Sequence, residues 1–210
     1  MNLIDLLNQL ALAGGDWVIY LLLITSLVSV YVMAERTLYY YIISGHSKEI
    51  SRLLAEHLDK GEVDTLSQEL KKLHCPEARV LCVGLSAFAR GAANVHERME
   101  SQLIKEKTAL ETNLTFLATA GSNAPFVGLF GTVLGVIKAF HELSLQGSGG
   151  GTMVMSGISQ ALIATAVGIM VAIPALVAYN YFKSRAKDIL ASAESLNHLA
   201  MSYLKPDEKR

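Results

Sequence analysis

The stretch GISQALIATAVGIMVAIPALVAYNYF, Gly157–Phe182, decides the class of this protein. It contains no charged residue and exceeds the roughly 20 residues that a helix needs to cross a bilayer. Yet it carries Gln160, Thr165 and Pro174. Polar groups in hydrocarbon are costly unless they are paired or face a wet cavity. The stretch therefore predicts a membrane helix with one face turned away from lipid.

The rest of the chain is also unusually apolar. Of its 210 residues, 51% are hydrophobic and 18% are charged, and the mean hydropathy is +0.36. Three segments lack any Asp, Glu, Lys or Arg: residues 17–34, 112–137 and 143–182. We predict an all-α membrane protein with three transmembrane helices, at 16–43, 113–141 and 153–182. Buried helices of a soluble protein are the weaker alternative, because three such segments seldom coincide in a soluble chain.

The distribution of Lys and Arg predicts the orientation of these helices. Residues 1–35 and 142–152 contain no Lys or Arg, whereas 44–112 contains ten and 183–210 contains six. Cytoplasmic segments of membrane proteins carry the positive excess. The N-terminus is therefore expected outside and the C-terminus inside, with 142–152 as a short periplasmic loop.

The first residues do not have the pattern of a cleavable signal peptide, because no Lys or Arg precedes Arg36. Instead, Leu3, Leu6, Leu7 and Leu10 recur at helical spacing. This pattern predicts a periplasmic interfacial helix over 1–15, with a disordered tail as the alternative.

The two inner segments have helical patterns. Within 44–112, one helix is expected to begin at Ser47 and a second to follow Gly61. A third is expected to run with few interruptions from Pro76 into the second span, with Gly84 and Gly91 as places where it can bend. A cytoplasmic C-terminal helix is expected over 183–210, with an apolar stripe along it. We therefore predict long helical cytoplasmic extensions that form a bundle.

Motifs for enzyme chemistry, metal binding and phosphate binding are missing from the sequence. The spacing of Cys75 and Cys82 fits no zinc or redox pattern, so both are expected to be reduced packing residues. The net charge of −1 gives no general attraction to nucleic acid. We expect neither enzymatic activity nor a cofactor, a metal or a nucleic-acid partner.

The second and third spans combine polar residues, small residues and a proline, whereas large aliphatic residues dominate the first span. Gly131 and Gly135 have the GxxxG spacing that lets helices approach closely. Pro125, like Pro174, leaves a backbone carbonyl without its helical donor. The first span is therefore expected to face lipid and the other two to pack together. The residues expected at helix bends and close contacts are Pro125, Gly131, Gly135, Gly168 and Pro174.

Two stretches, LATAGSNAPFVGLFGTVLGVIKAF and ISQALIATAVGIMVAIPALVAYNYF, resemble the signature spans of the MotA/TolQ/ExbB proton-channel family, and within it the ExbB and TolQ members. The resemblance is dense over residues 117–182. It implies a homo-oligomeric ring, usually a pentamer, in the lipid of the bacterial inner membrane. The ring would surround two single-span subunits of the ExbD/TolR type, each with a membrane Asp that carries the proton.

The resemblance also implies which residues line the proton path. Thr132 in GLFGT and Thr165 in ALIAT occupy the pore-facing positions of the family. A hydroxyl both donates and accepts a hydrogen bond, so it can relay or solvate a proton without carrying charge.

One residue departs from the family pattern. ExbB and TolQ have Glu in I-x-E-A-L, whereas this chain has Gln160 in ISQAL. In the first interpretation, the partner's Asp titrates and Gln160 only hydrogen-bonds or orients, as in MotA-type members that work without this Glu. In the second, the subunit is a structural ring that has lost transport. The retained threonines favour the first.

The leading hypothesis is an energy-transducing proton-channel subunit that moves its partners and delivers work to the periplasm or outer membrane. The ion is expected to be H⁺, with Na⁺ as the alternative. A TonB- or TolA-like protein or a gliding machinery would receive the work. The competing hypothesis is a non-conducting membrane scaffold.

Overall fold

The computed structural model describes residues 14–43, 47–58, 60, 62–146 and 151–204. Within these ranges the chain is helical and has no strand. The helices are α1 (Asp16–Ile43), α2 (Ser47–Leu58), α3 (Val63–Leu70), α4 (Pro76–Leu85), a 3₁₀ turn (Phe88–Arg90), α5 (Ala92–Glu111), α6 (Leu114–Gln146) and α7 (Gly151–Leu204). The interfacial helix predicted over 1–15 lies outside the described residues, apart from its last two positions.

Three of the helices, α1, α6 and α7, are long and apolar enough to cross a membrane. The predicted all-α fold with three apolar helices is thereby confirmed. The predicted loop 142–152 is too long, because α6 continues to Gln146 and α7 already begins at Gly151. Helix breakers are absent from HELSLQ, and the glycine-rich stretch starts only at Gly147.

The chain divides into two compact units. The first, which we call the span unit, contains Met1–Glu35 and Asn113–Asn180. The second, which we call the bundle unit, contains Arg36–Thr112 and Tyr181–Arg210. Both α1 and α7 contribute residues to each unit.

The prediction of a nearly continuous helix from Pro76 into the second span is wrong. The chain leaves the helical path at Gly91, which has φ +90°, and again at Asn113, which has φ +60°. Positive φ is readily adopted by Gly and is tolerated by Asn better than by most other residues. These two residues therefore separate α4, α5 and α6 into distinct helices.

One apolar core holds the bundle unit together. Leucines at helical spacing on α2 and α3, such as Leu54 and Leu66, are fully buried against Leu81, Met99 and Leu196. The thiol of Cys75 lies in the same core, and burial raises its pKa to about 11. A thiol so poorly ionised at neutral pH is a packing residue, as the sequence predicts.

An ion pair between a buried Glu106 and a partly exposed Arg79 joins α4 to α5 in the bundle unit. Arg79 donates from Nε and one Nη to the two oxygens of Glu106, at 2.8 and 2.6 Å. Gln102 donates to the same carboxylate at 2.8 Å. The Glu106 side chain is only 6% exposed, so its charge depends on these donors.

We expect Arg79→Met to lower the free energy of unfolding by about 1–3 kcal/mol, because a buried carboxylate loses its charged donor. Chemical denaturation of the full chain in detergent measures this. Glu56→Gln is the matched control, since the Lys60–Glu56 pair is exposed on both sides and such pairs contribute about 0.3–0.5 kcal/mol. Equal stability of Arg79→Met and wild type would contradict this role of the pair.

Candidate functional site

The contact between α6 and α7 is a close approach of two backbones in the span unit. A Cβ added at Gly168 would lie 2.6 Å from the backbone oxygen of Ala124. One added at Gly135 would lie 2.6 Å from the Cβ of Ala161. No side chain fits at such distances, so the helices are this close only because these residues are small.

Helix α1 packs onto this pair of helices near its own beginning. Val18 and Leu22 of α1 are almost completely buried. A Cβ at Gly131 would meet both Ala164, at 2.8 Å, and Val18, at 3.1 Å. Gly131 is therefore a position at which all three helices meet.

The two predicted pore threonines face each other across the α6–α7 contact. The Oγ1 atoms of Thr132 and Thr165 are 3.4 Å apart, and both residues are half-buried. Thr132 donates its hydroxyl proton to the backbone oxygen of Leu129 at 2.6 Å. Its lone pairs are thus left to face Thr165. Because 3.4 Å exceeds the usual hydroxyl–hydroxyl distance, the pair retains capacity for a third polar group.

Gln160 is held by a carboxylate of the same chain. Its Nε2 donates to Oδ1 of Asp16, the first residue of α1, at 3.1 Å. An uncharged side chain at this position therefore lies directly beside a titratable one.

A cavity of about 160 Å³ surrounds this pair within the span unit. Its charged lining residues are Asp16, Lys138 and Glu142, and its uncharged polar ones include Ser156 and Gln160. Gly131, Gly135, Ala161 and Ala164 form its apolar side. The small residues of the α6–α7 contact thus adjoin a polar space at the end of the unit where α1 begins.

Both prolines lie inside helices that continue past them, Pro125 in α6 and Pro174 in α7. Each removes the donor to the carbonyl four residues earlier. Whether the helices bend there stays a prediction.

A profile of the MotA/TolQ/ExbB proton channel family matches residues 72–195, more than half of the chain. The chain belongs to the MotA/TolQ/ExbB proton channel family. The match includes both threonines, Gln160 and the whole α6–α7 contact.

Individual members of the MotA/TolQ/ExbB family are similar to the chain. The Tol-Pal system protein TolQ of Pseudomonas aeruginosa is 44% identical over 96 residues, which are 46% of this chain and 42% of the relative. The biopolymer transport protein ExbB of Xanthomonas campestris pv. campestris is 38% identical over 104 residues, or 50% and 41%. The TolQ of Haemophilus influenzae is 32% identical over 206 residues, or 90% and 87%. The chain thus matches less than half the length of the first two relatives.

Sequence reasoning missed Asp16 and Lys138 as parts of the site. Partners as distant in sequence as Asp16 and Gln160 cannot be paired from one chain. Lys138 did give a signal. It is the one Lys or Arg between residues 113 and 182, and it falls near the predicted outer end of a span.

We expect Gly168→Ala to lower the free energy of unfolding in detergent by about 1–3 kcal/mol, because the new Cβ forces two backbones apart. The melting temperature of the purified chain should fall accordingly. Gly151→Ala is the matched control, since nothing lies within 4 Å of a Cβ at that position. If both variants have the melting temperature of the wild type, the α6–α7 contact is looser than described.

Proposed function

We propose that the chain is a proton-conducting subunit of a ring in the bacterial inner membrane, where it uses the proton gradient to drive movement of partner subunits. The observation that carries this proposal is the pair of hydroxyls of Thr132 and Thr165, 3.4 Å apart in the family-matched region. The chain neighbours of both threonines are apolar. The work would be delivered to the periplasm or outer membrane, in uptake, envelope integrity or gliding.

The threonine pair supplies two uncharged hydroxyl groups that can hydrogen-bond to a proton carrier. Since Thr132 already donates to Leu129, Thr165 is left to donate to Thr132 or to an incoming acceptor. A carboxylate of a partner's single-span helix would carry the proton past the two threonines. The threonines would solvate it at low cost, because neither hydroxyl needs to become charged.

We also propose the assembly implied by the family: a pentamer around two ExbD/TolR-like subunits, with the N-terminus outside and the C-terminus inside. Large apolar side chains are exposed on all three long helices, and they need lipid or neighbouring subunits to cover them. Examples are Leu27 and Tyr31 on α1, Phe126 and Val133 on α6, and Met170 and Val177 on α7.

The second candidate is a non-conducting scaffold, and the presence of Gln160 in place of an expected Glu favours it. A ring that only holds other proteins needs no titratable group in its wall. It would still need the close α6–α7 packing.

We expect Thr132→Val and Thr165→Val each to lower proton flux by about tenfold or more, because valine keeps the shape and removes the relay hydroxyl. The measurement is acidification of vesicles that contain the full chain with its co-expressed partner subunits, monitored by a pH-sensitive dye.

The matched control is Thr25→Val, whose hydroxyl only donates to Leu21 within its own helix. Its flux should stay within about twofold of wild type, because that hydroxyl bonds only its own backbone. Normal flux in both pore variants, with normal assembly, would refute the proposed role of the threonines. Absent flux in the wild type would favour the scaffold.

A further inference from the structure

We propose that Asp16 is the proton-accepting group at the outer mouth of the path, held in place by Gln160. This inference rests on the proposed proton transport and names the residue that starts it. The carboxyl function expected on α7 would thus be supplied by α1 of the same subunit.

The first support is the direct contact. The amide of Gln160 donates to Asp16 Oδ1 at 3.1 Å, a bond that orients the carboxylate and is strengthened by its charge. Gln160 has no proton to exchange at any ordinary pH, whereas a carboxylate takes up and releases one. Of the two side chains, only Asp16 can load a proton from solvent.

The second support is the cavity. Its 160 Å³ can hold several water molecules, and Asp16 itself is exposed, so bulk water has access to the carboxylate. Among the described residues, three charged groups line the cavity: Asp16 from α1, and Lys138 and Glu142 from α6. In the described part of α7, only uncharged side chains such as Gln160 and Ser156 line it.

Two charged residues of α6 line the same cavity as Asp16. Lys138 provides a positive charge in this cavity. Its side chain lies against Gly14, next to the start of α1. Glu142 is a second carboxylate of the cavity, but the amide of Gln160 donates to Asp16.

The third support is the distance to the threonine pair. Gln160 precedes Thr165 by five residues, which is about 7.5 Å along a helix axis. Gly131 and Ala164, which line the cavity, are the chain neighbours of Thr132 and Thr165. A proton released by Asp16 therefore needs only about two or three hydrogen-bonded waters to reach the threonines.

The test exchanges the two side chains and follows proton flux in vesicles that contain the full chain and its co-expressed partners. We expect Asp16→Asn to lower flux about tenfold or more. The double variant Asp16→Asn, Gln160→Glu puts the carboxylate on α7 and the amide on α1, and should recover flux to within about threefold of wild type. Glu56→Gln should stay within about twofold of wild type, because this exposed carboxylate belongs to the bundle unit and does not line the cavity.

A single variant tests the same idea without removing Asp16. Gln160→Glu would place two carboxylates about 3 Å apart, where they cannot both ionise. We expect the pH of half-maximal flux to rise by about one unit or more, because one of them keeps its proton to higher pH. An unchanged pH profile would overturn the proposal, even if Asp16→Asn fails to assemble.

The other outcomes separate this inference from the proposed function. Normal flux in Asp16→Asn, together with lost flux in Thr165→Val, overturns the role of Asp16 alone. Lost flux in Asp16→Asn without recovery in the double variant also overturns it, since Asp16 would then act only as a structural residue. Absent flux in the wild type overturns both proposals.

Discussion

The close approach of α6 and α7 is the constraint on which the rest of the span unit depends. Gly168 against Ala124, and Gly135 against Ala161, leave no space for a further methyl group. Without water in a bilayer to drive apolar association, such contacts rely on dispersion between small residues. The distance between the threonine hydroxyls and the shape of the adjoining cavity both follow from this separation of the two helices.

The three predicted pore-lining residues of these helices each have a polar neighbour within the chain. Thr132 bonds its own backbone and faces Thr165, while Gln160 bonds the carboxylate of Asp16. The contact with Asp16 bears on the departure from the family pattern, which is the Gln at position 160 in place of Glu. Loss of a Glu on α7 does not leave this region without a carboxylate, because α1 brings one to the same place.

Much of the fold follows from the sequence because membrane solvation imposes strong local rules. Long uncharged segments located α1, α6 and α7, and the spacing of glycines indicated which helices approach closely. Positions with special backbone geometry were harder to predict. Gly91 was considered only as a bend, and the positive φ at Asn113 has no simple sequence signal. The bond between Asp16 and Gln160 joins residues 144 positions apart, so its prediction requires knowledge of how the helices pack.

The central claim, that the ring passes protons, is tested most directly by the electrical current of the wild-type complex in a planar bilayer. The complex contains the full chain and its own partner subunits, and the buffer contains no Na⁺. Our account predicts a current that follows the imposed pH gradient and reverses where the voltage balances that gradient. An assembled complex whose current does not exceed that of the lipid alone would contradict it.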